Sequence, residues 1–98
     1  MKHYEVEYIH LDGFHISTRS VTFRTLRAAC RWIRKHENAS PVRINYIRKD
    51  MYKPHRTSRM QIYILRADGH WGNPDTRRYP KYLDLKTGKQ VDQAPPRR

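Results

Sequence analysis

Cysteine, long apolar runs and acidic residues are scarce in this sequence. Its 98 residues include one cysteine, Cys30, which excludes an internal disulfide framework and a zinc site built on several thiolates. No apolar run approaches the ~18 residues that a transmembrane helix needs, and no charged start followed by an apolar stretch indicates an export signal. We therefore expect a protein of the reducing cytoplasm that has no membrane partner.

The shortage of acidic residues leaves a strong positive charge. Twenty-one Lys and Arg residues stand against nine Asp and Glu residues, so the formal net charge is +12. The segment from Arg19 to Arg66 contains thirteen of the cations and two of the acids, which places nearly all of the net charge in the middle of the chain. Arginine outnumbers lysine fourteen to seven, and its planar guanidinium suits bidentate contacts with phosphate. These features predict a polyanionic partner; codon bias in a GC-rich genome is the alternative explanation.

The length predicts one domain. A chain of this size buries about 60 to 65% of its unfolded surface, which is too little for a second independent core or for the layered cleft of a large enzyme. We expect the domain to span residues 1–92. A proline-rich basic tail at 93–98 is expected to be disordered.

A β-hairpin is predicted at the start of the chain. Apolar and acidic residues alternate from Tyr4 to Tyr8, and Asp12-Gly13 supplies a turn. A two-residue loop would pair Tyr8 with Ser17, whereas a three-residue loop at 11–13, with Gly13 in the left-handed conformation, pairs Tyr8 with Ile16. We prefer the second register because it collects five apolar residues on one face: Tyr4, Val6, Tyr8, Phe14 and Ile16.

After Val21 the spacing of the apolar residues changes from every second residue, as in a strand, to every third or fourth residue, as in a helix. Apolar residues recur at helical spacing, and either Thr22 or Thr25 is suited to cap the helix start. The buried stripe comprises Leu26, Ala29, Cys30 and Ile33. The opposite face carries four cations: Arg27, Arg31, Arg34 and Lys35. Cys30 needs no role beyond that of a small core residue.

Two further strands follow the helix, each showing alternation. One contains Val42, Ile44 and Tyr46, and the other contains Met60, Ile62 and Ile64. The segment 82–89 predicts a last, short hairpin. Together these elements predict an α+β fold, in which an antiparallel sheet of four or five strands carries one helix on one face.

The connection from Lys49 to Ser58, KDMYKPHRTS, extends the basic segment. Pro54 prevents regular strand pairing there, so we expect an exposed loop that offers an aromatic ring for base stacking among cations. Basic residues of the helix and of this connection are predicted to contact the phosphates of DNA or RNA. The predicted binding residues are Arg24, Arg27, Arg31, Arg34, Lys35, Lys49, Tyr52, Lys53, Arg56 and Arg59.

Catalytic and metal-binding patterns are weak. His10 and His15 flank the first turn without a third ligand at a recognisable spacing, so no metal site or cofactor is predicted. Pro74-Asp75 followed by Asp84-Leu85-Lys86 resembles the signature of a large nuclease family, in which two acids hold a divalent cation and a lysine polarises the attacking water. A non-catalytic binding protein is the main prediction, and a metal-dependent nuclease remains an alternative.

A second resemblance covers about half of the chain. It rests on a strand from Phe14 to Val21, a helix that begins with Thr25-Leu26 and includes Ala29 and Trp32, and a returning strand from Val42 to Arg48. This organisation resembles that of the small proteins with which bacteriophages inhibit host RNA polymerase. The resemblance implies a phage or mobile-element protein in the bacterial cytoplasm. The alternative function is therefore an inhibitor or adaptor whose basic face docks on an acidic surface of a host protein.

Overall fold

Seven antiparallel strands and one α-helix make up the computed structural model, which describes residues 2–49, 57–74 and 81–96. The strands are β1 (Tyr4–Asp12), β2 (His15–Phe23), β3 (Pro41–Lys49), β4 (Thr57–Leu65), β5 (Trp71–Gly72), β6 (Tyr82–Asp84) and β7 (Lys89–Val91). The helix α1 spans Leu26–Lys35 and is followed by a short 3-10 helix at Glu37–Ala39. The strands form one sheet in the order β2-β1-β3-β4-β5-β6-β7.

The predicted α+β class is confirmed, but the sheet is wider than the four or five strands expected. The short hairpin predicted near the end of the chain is present as β6 and β7. Strand β5 was not predicted, because its two residues are too few to show an alternating pattern. It pairs with both β4 and β6 and thereby joins the last hairpin to the main sheet.

One face of the sheet packs against α1. Five strands in succession each contribute one buried side chain to this face: Val6, Ile44, Tyr63, Trp71 and Leu83. The helix covers them with Ala29, Cys30 and Ile33, which are at most 1% exposed. Thr25 caps the helix, since its Oγ1 accepts a hydrogen bond from the Ala28 N–H at 3.1 Å. The predicted helical stripe and one of its two candidate caps are therefore confirmed.

The register predicted for the first hairpin is wrong. Tyr8 lies opposite Arg19 rather than Ile16, and Ile16 lies opposite Leu11. The loop consists of Gly13 and Phe14, with Gly13 at a φ of 60°, the positive value expected at the first position of a type II′ turn. The prediction assumed that all apolar residues of the hairpin would reach the core. Instead, Phe14 lies in the turn and Ile16 lies on the sheet face opposite α1, so both are exposed.

Strand β4 also departs from its alternating pattern. A register shift opposite Ile44 and Asn45 leaves Ile62 as an extra residue between Gln61 and Tyr63. The shift changes which face the following side chains occupy, so that Tyr63 is buried. Met60 precedes the shift and is 61% exposed. The sequence alternation of Met60, Ile62 and Ile64 therefore predicts the strand correctly but not the residue that enters the core.

Candidate anion-binding site

The outer face of α1 carries the cations that the helical pattern predicts. Arg27, Arg31 and Lys35 are exposed, and Arg34 is half-buried. Arg31, Arg34 and Lys35 are spaced at i, i+3 and i+4, so their side chains lie on one side of the last turns of the helix. Cations are favourable near a helix C-terminus because the helix dipole is negative there. This end of α1 therefore tolerates a dense positive charge.

The β6–β7 turn packs directly on the start of the helix. Gly88 has a φ of 72°, and a Cβ atom at this position would lie 2.9 Å from the Cα of Arg27. Asp84 stabilises the turn, because its Oδ1 accepts a hydrogen bond from the Lys86 N–H at 2.9 Å and its backbone oxygen accepts one from the Gly88 N–H at 2.8 Å. This close approach brings Lys86 to the cationic side of the helix.

Four cations line one surface hollow of about 440 Å³: Arg31, Arg34, Lys35 and Lys86. We call this feature the basic hollow. No carboxylate from the described part of the chain lines it. A neighbouring hollow of about 270 Å³ shares Lys86 but also has Glu37 and Asp84 in its wall. Unshielded positive charge is therefore concentrated at the basic hollow rather than spread evenly over this side of the molecule.

Three cations on other parts of the surface are paired with acids. Arg43 Nε lies 3.0 Å from Glu7 Oε2, and Arg59 Nε lies 3.1 Å from Glu5 Oε1. Lys81 forms a third ion pair, with Asp92. Within residues 2–49, 57–74 and 81–96, the four cations of the basic hollow form no ion pair.

The guanidinium of Arg34 also has an unsatisfied hydrogen-bond donor. Its Nε atom is buried and has no hydrogen-bond partner among the described residues. A buried donor without an acceptor is costly, because it has lost its contact with water without gaining another bond. An oxygen-rich anion that enters the hollow supplies the type of acceptor that this guanidinium needs.

The predicted binding residues do not form one surface. Lys49 and Arg59 lie on the sheet face opposite α1, where Arg59 neutralises Glu5, a residue only 3% exposed. Arg24 is exposed just before the helix begins. Three of the predicted contacts lie outside the described residues: Tyr52, Lys53 and Arg56. Of the predicted residues, the basic hollow therefore brings together Arg31, Arg34 and Lys35, and it adds Lys86 to them.

Lys86 was not among the binding residues predicted from sequence. It lies 51 positions after Lys35 and belongs to a different element, so no local spacing links the two. The signal in the sequence is the motif Lys86-Thr87-Gly88-Lys89, which belongs to the segment that predicted the last hairpin. That motif could not indicate where the turn would pack.

Several aromatic residues near cations have structural roles. Trp71 is 6% exposed and belongs to the core. Tyr82 lies beneath Arg66, whose Cζ is 4.9 Å from the ring centroid. Trp32 is half-buried and packs against Tyr8 and Phe23, at centroid distances of 5.4 and 6.2 Å. Trp32 thus widens the buried side of the helix.

The remaining chemical motifs have local explanations. Asp84 uses its carboxylate to hold the turn that contains Lys86, and Asp75 lies outside the described residues, so the nuclease alternative stays a prediction. His15 lies opposite Asp12 and His10 opposite Ser17. No group of three metal-ligating side chains occurs in the part of the chain that the structure describes.

Burial raises the pKa of the Cys30 thiol to about 12, and the nearby Arg34 offsets this only in part. The thiol is therefore protonated at neutral pH, which agrees with a core role rather than a nucleophilic one.

Comparison of the chain with protein-family models, with curated proteins and with solved structures finds no match. The resemblances to nucleases and to phage inhibitors thus remain predictions. In the described residues, the helix is too short and too polar to cross a bilayer.

Proposed function

We propose that this protein binds nucleic acid without catalysing a reaction, and that the basic hollow is the centre of the contact. The observation that supports the proposal most directly is the set of four cations in one hollow that has no carboxylate in its described wall. Elsewhere in the described structure, acids neutralise Arg43, Arg59 and Lys81. The basic hollow therefore groups four unpaired cations in one place.

The spacing of the cations suits a phosphate backbone. Within the basic hollow, Arg31 and Lys35 are four residues apart in α1, which corresponds to about 6 Å along the helix axis. One DNA strand advances by about 3.4 Å per phosphate along the duplex axis, so these two side chains span roughly two phosphates. Guanidinium groups bind phosphate oxygens in pairs, and Lys86 adds a point charge from the other wall of the hollow.

The test compares two variants that lose the same charge. One carries Arg31→Gln and Lys35→Gln, which removes two exposed cations of the basic hollow. The control carries Arg43→Gln and Lys81→Gln, which removes two cations that are already paired with acids. Fluorescence anisotropy with labelled single-stranded DNA, duplex DNA and RNA measures the affinity of each.

We expect the first variant to bind nucleic acid at least about tenfold more weakly than the wild type, since it loses two phosphate contacts. The control should remain close to the wild type. Equal losses in the two variants would contradict a localised site and indicate a response to net charge alone.

The same hollow would also attract an acidic protein surface, which is the rival function. A pull-down from nuclease-treated bacterial lysate separates the two functions. Retention of one specific host protein, combined with no measurable affinity for any of the three nucleic acids, would replace our proposal with the rival.

A further inference from the structure

The outer edge of the sheet is formed by a long, regular strand. Strand β2 is terminal in the strand order, and no described strand pairs with its outer side. Its nine residues pair with β1 without a register shift and include no proline or glycine. Protein edge strands are usually protected by prolines, bulges or several charges, because an open edge can pair with another strand. Arg19 is the only formally charged residue of β2.

Exposed apolar side chains accompany this edge. Ile9, Leu11 and Ile16 lie on the sheet face opposite α1, and they are 38%, 67% and 74% exposed. Phe14 is fully exposed at the tip of the hairpin. A cluster of this kind at one end of a small soluble domain is typical of an interaction surface.

The charge of the hairpin indicates which partner suits it. Residues 3–18 contain no Lys or Arg, and two of their three acids, Glu5 and Glu7, are paired with Arg59 and Arg43, so this hairpin has little net charge in a protein whose net charge is +12. Two copies repel each other least when they meet at this segment. An antiparallel edge strand can also pair with itself about a two-fold axis, in the isologous arrangement that is most common for dimers.

We infer that two copies of this chain form a dimer by pairing β2 with β2 of the second copy. The two-fold axis then runs perpendicular to the sheet, so both copies present their helices on the same face of a continuous sheet. The dimer does not depend on the proposed function. If that function holds, the dimer places two basic hollows on one face, where they can bind the same nucleic acid.

The charge of Arg19 selects the register. Pairing all nine residues of β2 would centre the two-fold axis on Arg19 and place it opposite its own copy, which like-charge repulsion disfavours. Centring the axis on Thr18 places Arg19 opposite Ser17 and Ile16 opposite Ser20 of the second copy. Ile16 thereby gains a cross-strand neighbour.

This register also separates the two helices. Val21 and Phe23, the β2 residues that pack against the core, lie three and five positions from Thr18, or about 10 and 17 Å along the strand. The helices of the two copies therefore lie on opposite sides of the axis, farther apart than the Debye length of about 8 Å at physiological salt. Salt ions therefore screen the electrostatic repulsion between the two positively charged helices.

Sedimentation equilibrium of the full chain, freed of nucleic acid, tests the dimer. Thr18→Lys places two lysines opposite each other and should raise the dimer dissociation constant at least about tenfold. Thr18→Ile places two β-branched apolar residues there and should lower it. Gln61→Lys is the matched control, because it adds the same charge at an exposed position of β4 on the same sheet face, and should leave the constant unchanged.

Amide hydrogen exchange provides a second readout, in which the β2 amides should exchange more slowly as the protein concentration rises. Circular dichroism checks that each variant is folded. A wild type that is monomeric at all attainable concentrations would overturn the inference. A dimer that Thr18→Lys and Gln61→Lys weaken equally would overturn it as well. Both results would leave the affinity for nucleic acid to be judged separately.

Discussion

Replacing Lys86 by glutamine removes the cation that the β6–β7 turn contributes to the basic hollow. The side chain is exposed, and the turn keeps its hydrogen bond from the backbone N–H of residue 86 to Asp84, so we expect the fold to persist. Each phosphate neutralised on duplex DNA contributes about −0.9 to the slope of log affinity against log salt. The four cations of the hollow therefore predict a slope of about −3.6 if each contacts one phosphate.

That slope corresponds to a loss of affinity of about 150-fold between 50 and 200 mM salt. Without Lys86 the slope should be about −2.7 and the loss about 40-fold over the same range. Fluorescence anisotropy titrations of a duplex at several salt concentrations measure both values. Lys81→Gln is the control, because it removes an equal charge that is already paired with Asp92, and it should leave the slope unchanged.

The wild-type slope tests the charge argument, and the comparison of variants tests the geometry. A flat salt response would remove the basis for phosphate binding altogether. Equal slopes for Lys86→Gln and Lys81→Gln would refute the assignment of Lys86 to the contact, even if the protein binds DNA.

Two further predictions concern the packing behind the site. Gly88→Ala should lower the free energy of unfolding by about 1 to 3 kcal/mol, because the new Cβ meets the backbone of Arg27 and a positive φ disfavours residues other than glycine. Urea denaturation measures this change. An unchanged unfolding midpoint would contradict the packing of the turn on the helix. Folding raises the pKa of the Cys30 thiol from 9.0 to about 12. Below pH 9 the thiol is protonated in both the folded and the unfolded chain, so its contribution to the free energy of unfolding does not change with pH. Above pH 9 the unfolded chain loses the proton first, so stability should fall by up to about 1.4 kcal/mol per pH unit until about pH 12, and Cys30→Ala should reduce this dependence.

Local patterns were sufficient for most of the secondary structure. The apolar stripe of α1 recurs at helical spacing, and Thr25 can cap the helix through an interaction three residues away. Both depend on neighbours in the chain, so the sequence displays them directly. The alternation of apolar and polar residues predicts strands β1, β3 and β4 for the same reason.

The register of each strand and the sheet face that each side chain occupies were harder to predict, because both depend on the elements that pack against the strand. Phe14 and Ile16 are apolar, yet the two-residue turn contains Phe14 and the register puts Ile16 opposite Leu11, on the sheet face that α1 does not cover. The extra residue at Ile62 likewise moves Tyr63 into the core, and a bulge of this kind leaves no mark on the apolar pattern. The hydrophobic pattern therefore predicts that a strand exists but not how much of it is buried.

The sequence by itself determined the excess of cations, their concentration between Arg19 and Arg66, and the helix that presents some of them, because charge and helical periodicity are properties of neighbouring residues. Tertiary structure alone decided which cations stay unpaired. The sheet places Glu5 beside Arg59 and Glu7 beside Arg43, and it leaves the helix without such partners while the Gly88 turn brings Lys86 to it. Electrostatic pairing acts over distances of a few ångströms in space, and those distances arise only when remote segments of the chain pack together.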